Sequence, residues 1–245
     1  MLTPEAPAIF AVIFFSSFLQ TITGFGYALS ATPLLALILD PKDAVMFVLF
    51  TGIITKLALL CRLWHQSSFS AIRLLFAASL AGALPGAYVL KIVSNATLKL
   101  TIGLVLIIIT VAMARDFRVT IREPRLAQSV VGVVSGFLAT TTSLSGPPVV
   151  MYYLNEQLTK ETIRANLTRY FILSNTASLV LSYFFGTLKP ELLAANTLIC
   201  LPAIVLGVGL GEKLFAKFNA NIFKKLALAV IAASAIISIF SGLRH

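Results

Sequence analysis

The sequence predicts an all-α integral membrane protein of two inverted repeats, each a broken-helix re-entrant hairpin followed by three transmembrane helices. Three observations carry that prediction. The 245-residue chain is 58% hydrophobic and only 11% charged, with a mean hydropathy of +0.96, whereas soluble domains carry roughly 25% charged residues. Two uncharged runs, 6–39 and 126–155, hold 34 and 30 residues, and a plain span needs only about 20. Each of these runs opens one half of the chain and is broken in its middle by weak helix formers, "TGFGYALSATP" in the first and "TTTSLSGPP" in the second.

The other apolar runs are 43–61 (carrying Lys56), 74–90, 100–114, 170–188, 192–211 and 226–243. Each suits one span, with end residues snorkelling where the run is short. The N-terminal "MLTPEAPAIF" has no basic stretch, so a cleaved leader is not expected. No stretch between the runs is long enough for a soluble domain, so residues 1–245 read as a single transmembrane domain.

The halves share an order of features. "PLLALILDPK" aligns with "PVVMYYLNEQ", which sets Pro33 against Pro148, and "KDAV" at 42–45 answers "KETI" at 160–163. "GAYVLKIVSNATLKLTIGLVLI" resembles "GEKLFAKFNANIFKKLALAVI", with Gly86 against Gly211. Repeat one is therefore 6–114, a polar linker occupies 115–125, and repeat two is 126–243.

Charge decides how many times each repeat crosses. If the long runs cross once each, there are eight spans, and Lys and Arg divide 10 to 8 between the faces, Lys56 set aside. If each long run enters and returns as a hairpin, each repeat crosses three times and the second is inverted. The cations then divide 13 to 5, with Lys42, Lys91, Lys99, Lys189 and Arg244 on the poorer face. Positively charged residues gather in cytoplasmic loops, which favours the hairpins and puts both termini outside. Inverted repeats with discontinuous helices meeting near the midplane are an architecture of secondary transporters.

Non-helical backbone at membrane depth survives only where it is buried in protein or lines a polar cavity. The first break is flanked by Thr21, Thr23, Gly24, Gly26, Tyr27, Ser30, Thr32 and Pro33, and the second by Thr140, Thr141, Thr142, Ser143, Ser145, Gly146 and Pro147. "TP" at 32–33 and "GPP" at 146–148 read as helix starts, a capping residue followed by Pro at the first helical position. Free N–H groups and the positive end of each return helix would then face an anion. The competing reading is structural: Gly, Ser and Thr also let membrane helices pack closely, and Pro33 would then only kink a helix.

Lys56 is the one charge well inside a span, and an ionisable residue there is a functional candidate. It either turns inward to the breaks or snorkels toward the end near Arg62. Arg169, two turns into its span, has the same two options. Asn166, Ser174 and Asn175 on that span are either cavity wall or interhelical hydrogen bonds. All nine Asp and Glu lie in loops or at helix ends, so a buried carboxylate relay and an acidic cation ring are both missing, which points to an anionic cargo.

At these residues the chain resembles the sulfite exporter TauE/SafE family. The resemblance rests on "TGFGYALSATPLLALIL", "GALPGAYVLKIVSNATLKLTIGLVLI" and "GVVSGFLATTTSLSGPPVVMYYL". It implies export of small sulfur oxyanions and organosulfonates, such as sulfite and sulfoacetate, across the bacterial inner membrane. Gly24, Gly26 and Pro33 match the glycine-rich turn of the family's first repeat, and Gly146, Pro147 and Pro148 that of the second. Family members carry more glycines there; "YALSA" and "TTTSLS" take their place in this chain.

Several classes are excluded. No GxxxxGK[ST] loop is present for ATP hydrolysis, and His65 and His245 lie far from both breaks, which leaves no Ser/His/Asp set. No metal site or cofactor is expected, and the formal charge of +10 comes without the interleaved aromatics of a nucleic-acid surface. The expected partners are a small anionic substrate and the bilayer, with a homodimer as the default assembly. A passive anion channel would share the pore chemistry. A thiol-redox conduit through Cys61 and Cys200 is the remaining alternative, although Cys61 lies at a span end rather than at a break.

Overall fold

The computed structural model describes residues 5–115, 123–153, 156, 158–215 and six residues between 232 and 240. Most of the run 226–243 and most of the linker at 115–125 lie outside the described residues. Among those described, all regular elements are helical: α1 (Ala6–Thr23), α2 (Gly26–Leu35), α3 (Pro41–Leu63), a short 3₁₀ turn (Trp64–Gln66), α4 (Phe69–Ile92), α5 (Asn95–Ala114), α6 (Pro124–Thr142), α7 (Gly146–Tyr153), α8 (Lys160–Phe184) and α9 (Pro190–Phe215). Five helical stretches are long and apolar enough to cross a membrane, those starting at Ala6, Pro41, Phe69, Asn95 and Thr197. The chain is a multi-pass membrane protein.

Both over-long runs double back where the sequence places its breaks. After α1 the chain turns through Gly24 (φ 82°), whose N–H donates to Gln20 O at 2.7 Å. Ser30 Oγ then reaches Ser16 Oγ at 2.8 Å, a pair that would lie about 21 Å apart along one unbroken helix. After α6 the turn residue is Ser143 (φ 59°). There Ser135 Oγ donates to Ser145 O at 2.9 Å and Gln128 Nε2 to Tyr152 Oη at 3.0 Å, which ties α7 back along α6. The arms are unequal: the outgoing helices have 18 and 19 residues, the returning ones 10 and 8. An 18-residue helix is about 27 Å long. The first arm thus nearly matches the hydrocarbon thickness, and α1 reads by length and composition as a possible span.

Pro33 departs from expectation. It lies inside α2, which begins at Gly26, so Thr32 and Pro33 do not start the return helix. The hydroxyl of Thr23 takes over that capping, accepting from Phe25 N at 2.9 Å and Gly26 N at 2.8 Å. Pro147 does sit in the first turn of its helix, as expected.

Each hairpin packs on a helix of the other half. Gly82 and Gly86 on α4 meet α6 so closely that a Cβ on Gly82 would lie 1.9 Å from Val133 O, and one on Gly86 2.9 Å from Phe137 O. Gly207 and Gly211 on α9 repeat this against α1, with Cβ positions 2.5 Å from Phe14 O and 3.2 Å from Phe18 O. Small residues four apart let backbones approach in this way where lipid gives no hydrophobic drive. Phe14, Phe18 and Thr21 stand on α1 where Val133, Phe137 and Thr140 stand on α6. By this register the first turn's Gly24 answers Ser143, rather than Pro33 answering Pro148.

Between the hairpins run α3 and α8, antiparallel and the most buried of the long helices. Residues 44–49 of α3 are at most 1% exposed, and α8 buries Ala165, Asn166, Leu167 and Thr168 equally. The buried face of α8 includes Ser174, Asn175, Ser178 and Ser182. That polarity makes α8 less apolar than a typical span despite its 25 residues. At one end of this pair, Lys189 Nζ donates to Asp43 Oδ2 at 2.8 Å, Lys42 Nζ to Lys91 O at 2.9 Å, and Asn95 Nδ2 to Asp40 Oδ2 at 2.7 Å. The Asp43 carboxylate holds the Lys189 ammonium above its usual range. At the other end Ser68 N donates to Asn166 Oδ1 at 3.0 Å, and Arg164 pairs with Glu212.

Candidate functional site

The two turns meet between α3 and α8. Thr32 Oγ1 on the first return helix lies 2.5 Å from Ser143 Oγ at the second turn. The backbone O of Phe25 comes within 3.4 Å of where a Cβ on Gly146 would be. Lys56 enters the same space from α3, and Phe171 and Asn175 enter it from α8. The cavity is small, about 10 Å³, room for about one water.

Lys56 faces inward. It is 4% exposed, and its ammonium donates to Gly52 O at 3.2 Å, its bond to its own helix. It lies 5.4 Å from the Tyr27 ring centroid and 5.6 Å from that of Phe171, within cation–π reach of both. Among the described residues no carboxylate comes within ion-pair distance of it; the ion pairs formed there are Arg164–Glu212 and Lys189–Asp43. A buried charge without a counter-ion is costly. Asn175 adds an amide on the same wall, its Nδ2 donating to Leu49 O at a long 3.4 Å.

The residues expected at the site divide in two. Tyr27, Lys56, Ser143, Ser145, Gly146 and Asn175 line the cavity. The others build the hairpins or stand apart. Thr21 Oγ1 donates to Ser17 O at 2.8 Å and its Cβ faces Gly211. Thr23 caps α2, and Ser30 bridges to α1. Thr141 and Thr142 donate to Phe137 O and Leu138 O at 2.7 and 2.9 Å. Gly24, Gly26, Pro33 and Pro147 shape the backbone, and half-buried Arg169 is not in the lining.

The expectation of free N–H groups at the first return helix does not hold. Phe25 and Gly26 donate to Thr23 Oγ1, and Tyr27 N donates to Gln20 Oε1 at 3.2 Å. In the second hairpin Leu144 N reaches Thr142 Oγ1 at 3.4 Å, and Pro147 and Pro148 have no N–H to offer. At the first turn the positive element is thus the Lys56 ammonium rather than a helix terminus. Sequence reasoning missed Gln20, Phe25 and Phe171. Gln20 carried a usable signal as a lone amide within the 34-residue uncharged run; it clamps both sides of the turn, donating to Gly24 O at 2.7 Å as well.

Arg164 is a second surprise, since its place near the start of α8 suggested a solvated loop cation. It is 4% exposed, paired with Glu212 of α9, and its guanidinium carbon lies 4.4 Å from the Phe215 ring centroid. Its stem runs against the first turn, with Cγ 3.3 Å from a Cβ position on Gly24.

No curated protein and no solved structure matches the chain. A family model described as sulfite exporter TauE/SafE does match, over residues 9–237. That match takes in both hairpins, α3 with Lys56 and α8 with Asn175, and the chain belongs to the TauE/SafE sulfite exporter family.

Proposed function

We propose that the protein is a secondary transporter exporting sulfite or small organosulfonates across the bacterial inner membrane, with the anion held between the two hairpin turns. The observation that carries this reading is Lys56: a buried ammonium with no carboxylate partner among the described residues, lining the cavity where the hairpins meet. An anion would supply the missing counter-charge, and Ser143, Ser145 and Asn175 would supply donors around it. The cavity, about 10 Å³, is too small for sulfite as it stands, so its lining must part to admit the anion.

The architecture proposed with it is a pair of inverted repeats, 6–114 and 126–243, with both termini outside. The exchanged packing of α4 on α6 and α9 on α1 supports the repeat. The Lys189–Asp43 and Ser68–Asn166 contacts support six crossings plus two re-entrant hairpins, because eight crossings would put each of these pairs on opposite faces. The thiol-redox alternative finds little support, since Cys61 is exposed at the end of α3 whereas Cys200 is buried within α9.

The test is sulfite flux into proteoliposomes. Saturable uptake that shows counterflow, survives replacement of both cysteines by Ala and falls in Lys56→Met is the expected result. Flux that is linear in sulfite concentration and shows no counterflow would make the protein a channel. Loss of flux in the cysteine-free variant would favour redox chemistry.

A further inference from the structure

We infer a second oxyanion site at Arg164, on the far side of the first hairpin turn, that the carboxylate of Glu212 covers in this conformation. It lies beyond the central cavity and takes only its ligand class from the reading of that cavity.

The guanidinium presents a planar fork, and an oxyanion is held best when it takes two parallel N–H groups. Glu212 engages the terminal Nη2 through its carboxylate oxygen Oε1. The neighbouring Nε is sealed from solvent and has no partner, although the side chain as a whole is only 5% exposed. A pair built purely for stability would satisfy that Nε, because a buried donor left without a partner is costly. Glu212 is the more accessible partner, with its side chain 21% exposed. Arg164 is held in place by Phe215 and by the first turn, so displacement of the carboxylate would leave the guanidinium where it is.

The position of the site gives it a role. Gly24 packs on the Arg164 stem while the next residue, Phe25, lines the central cavity. One turn of backbone thus lies between the Arg164 stem and Lys56's chamber. A shift of that turn would pass an anion from one cation to the other, and Glu212 would act as a tethered substitute for the anion when none is present.

The experiment uses the full-length protein in detergent, titrated with sodium sulfite against sodium chloride at matched ionic strength. Glu212→Gln removes the competing carboxylate and should tighten sulfite binding about tenfold, the effect of roughly one charge-assisted bond. The gain should persist when Lys56→Met is added and vanish in Arg164→Gln/Glu212→Gln, which removes both members of the pair. If Glu212→Gln does not fold, Glu212→Asp withdraws the carboxylate by one methylene and should shift affinity in the same direction. Sulfite affinity unchanged within twofold in the Glu212 variant, or a gain that survives Arg164→Gln, overturns the proposal. Sulfite binding seen in Glu212→Gln but not in the parent protein would instead remove the central-cavity reading and leave the Arg164 site standing.

Discussion

Replacing Lys56 by Met separates a binding role from a structural one, because the two roles predict opposite signs. The substitution keeps the unbranched stem and removes the charge. In the empty protein the ammonium has given up several kcal/mol of hydration. It receives in return one hydrogen bond to Gly52 O and two ring faces at 5.4 and 5.6 Å, together on the order of 2–4 kcal/mol. Lys56→Met should therefore leave the thermal midpoint in detergent unchanged or raise it. With sulfite present the sign reverses. A charge-assisted hydrogen bond to the anion is worth about 1.5–3 kcal/mol, roughly 10- to 150-fold in affinity. A ligand at a hundred times its Kd stabilises the folded state by about 2.7 kcal/mol; most of that rise should disappear in the variant. A variant that melts earlier than the parent and is still stabilised by sulfite to the same degree would show that Lys56 is a packing residue, and the reasoning would fail.

Two further predictions concern the backbone. Ser143 holds a left-handed conformation (φ 59°) that costs an L-residue about 1–2 kcal/mol, and its hydroxyl bonds Thr32. Ser143→Gly relieves the strain and loses the bond, so its stability should stay near the parent's; Ser143→Ala loses the bond and keeps the strain, so it should be about 1 kcal/mol less stable than the glycine variant, and equal melting would refute the account. On α9, Gly207→Ala puts a methyl 2.5 Å from Phe14 O and should cost about 1–3 kcal/mol, whereas Gly209→Ala meets nothing within 4 Å and should gain up to about 1 kcal/mol; matching midpoints in the two variants would mean the α1–α9 contact is not tight.

Much of this fold is legible in the sequence, and for physical reasons. The excess length of 6–39 and 126–155, together with Gly, Ser and Thr at their centres, marks the hairpins because lipid leaves a buried turn as the main outlet for a broken helix. The inward pointing of Lys56 was an open choice, since a flexible stem reaches either way; packing against Tyr27 and Phe171 decides it, and neither contact has a sequence period. Thr32–Pro33 misleads because Thr followed by Pro is also the signature of a helix start. The side chains of Thr23 and Gln20 had already capped the helix seven residues earlier. Arg164 was missed because its partner, Glu212, is 48 residues away.

The packing also says where the protein can open. At the α4–α6 and α1–α9 contacts, backbone carbonyls and the small side chains of Thr140 and Thr21 lie in glycine grooves, and sliding would drive neighbouring ridges into each other. Each hairpin should therefore move with its partner helix. The seam between the two turns is different: among the described residues the side-chain hydrogen bond across it is the hydroxyl pair Thr32–Ser143, with the Phe25 carbonyl beside Gly146. If transport requires that seam to part, tying it shut should stop transport without unfolding anything. Thr32→Cys with Ser143→Cys, in a chain whose Cys61 and Cys200 are replaced by Ala, places two sulfurs where oxygens now lie 2.5 Å apart, near the 2.03–2.05 Å of a disulfide. Oxidation should abolish sulfite flux in proteoliposomes and reductant should restore it, while each single-cysteine control is indifferent to both. Undiminished flux with the disulfide fully formed would mean that the hairpins travel as one body and that the anion passes elsewhere.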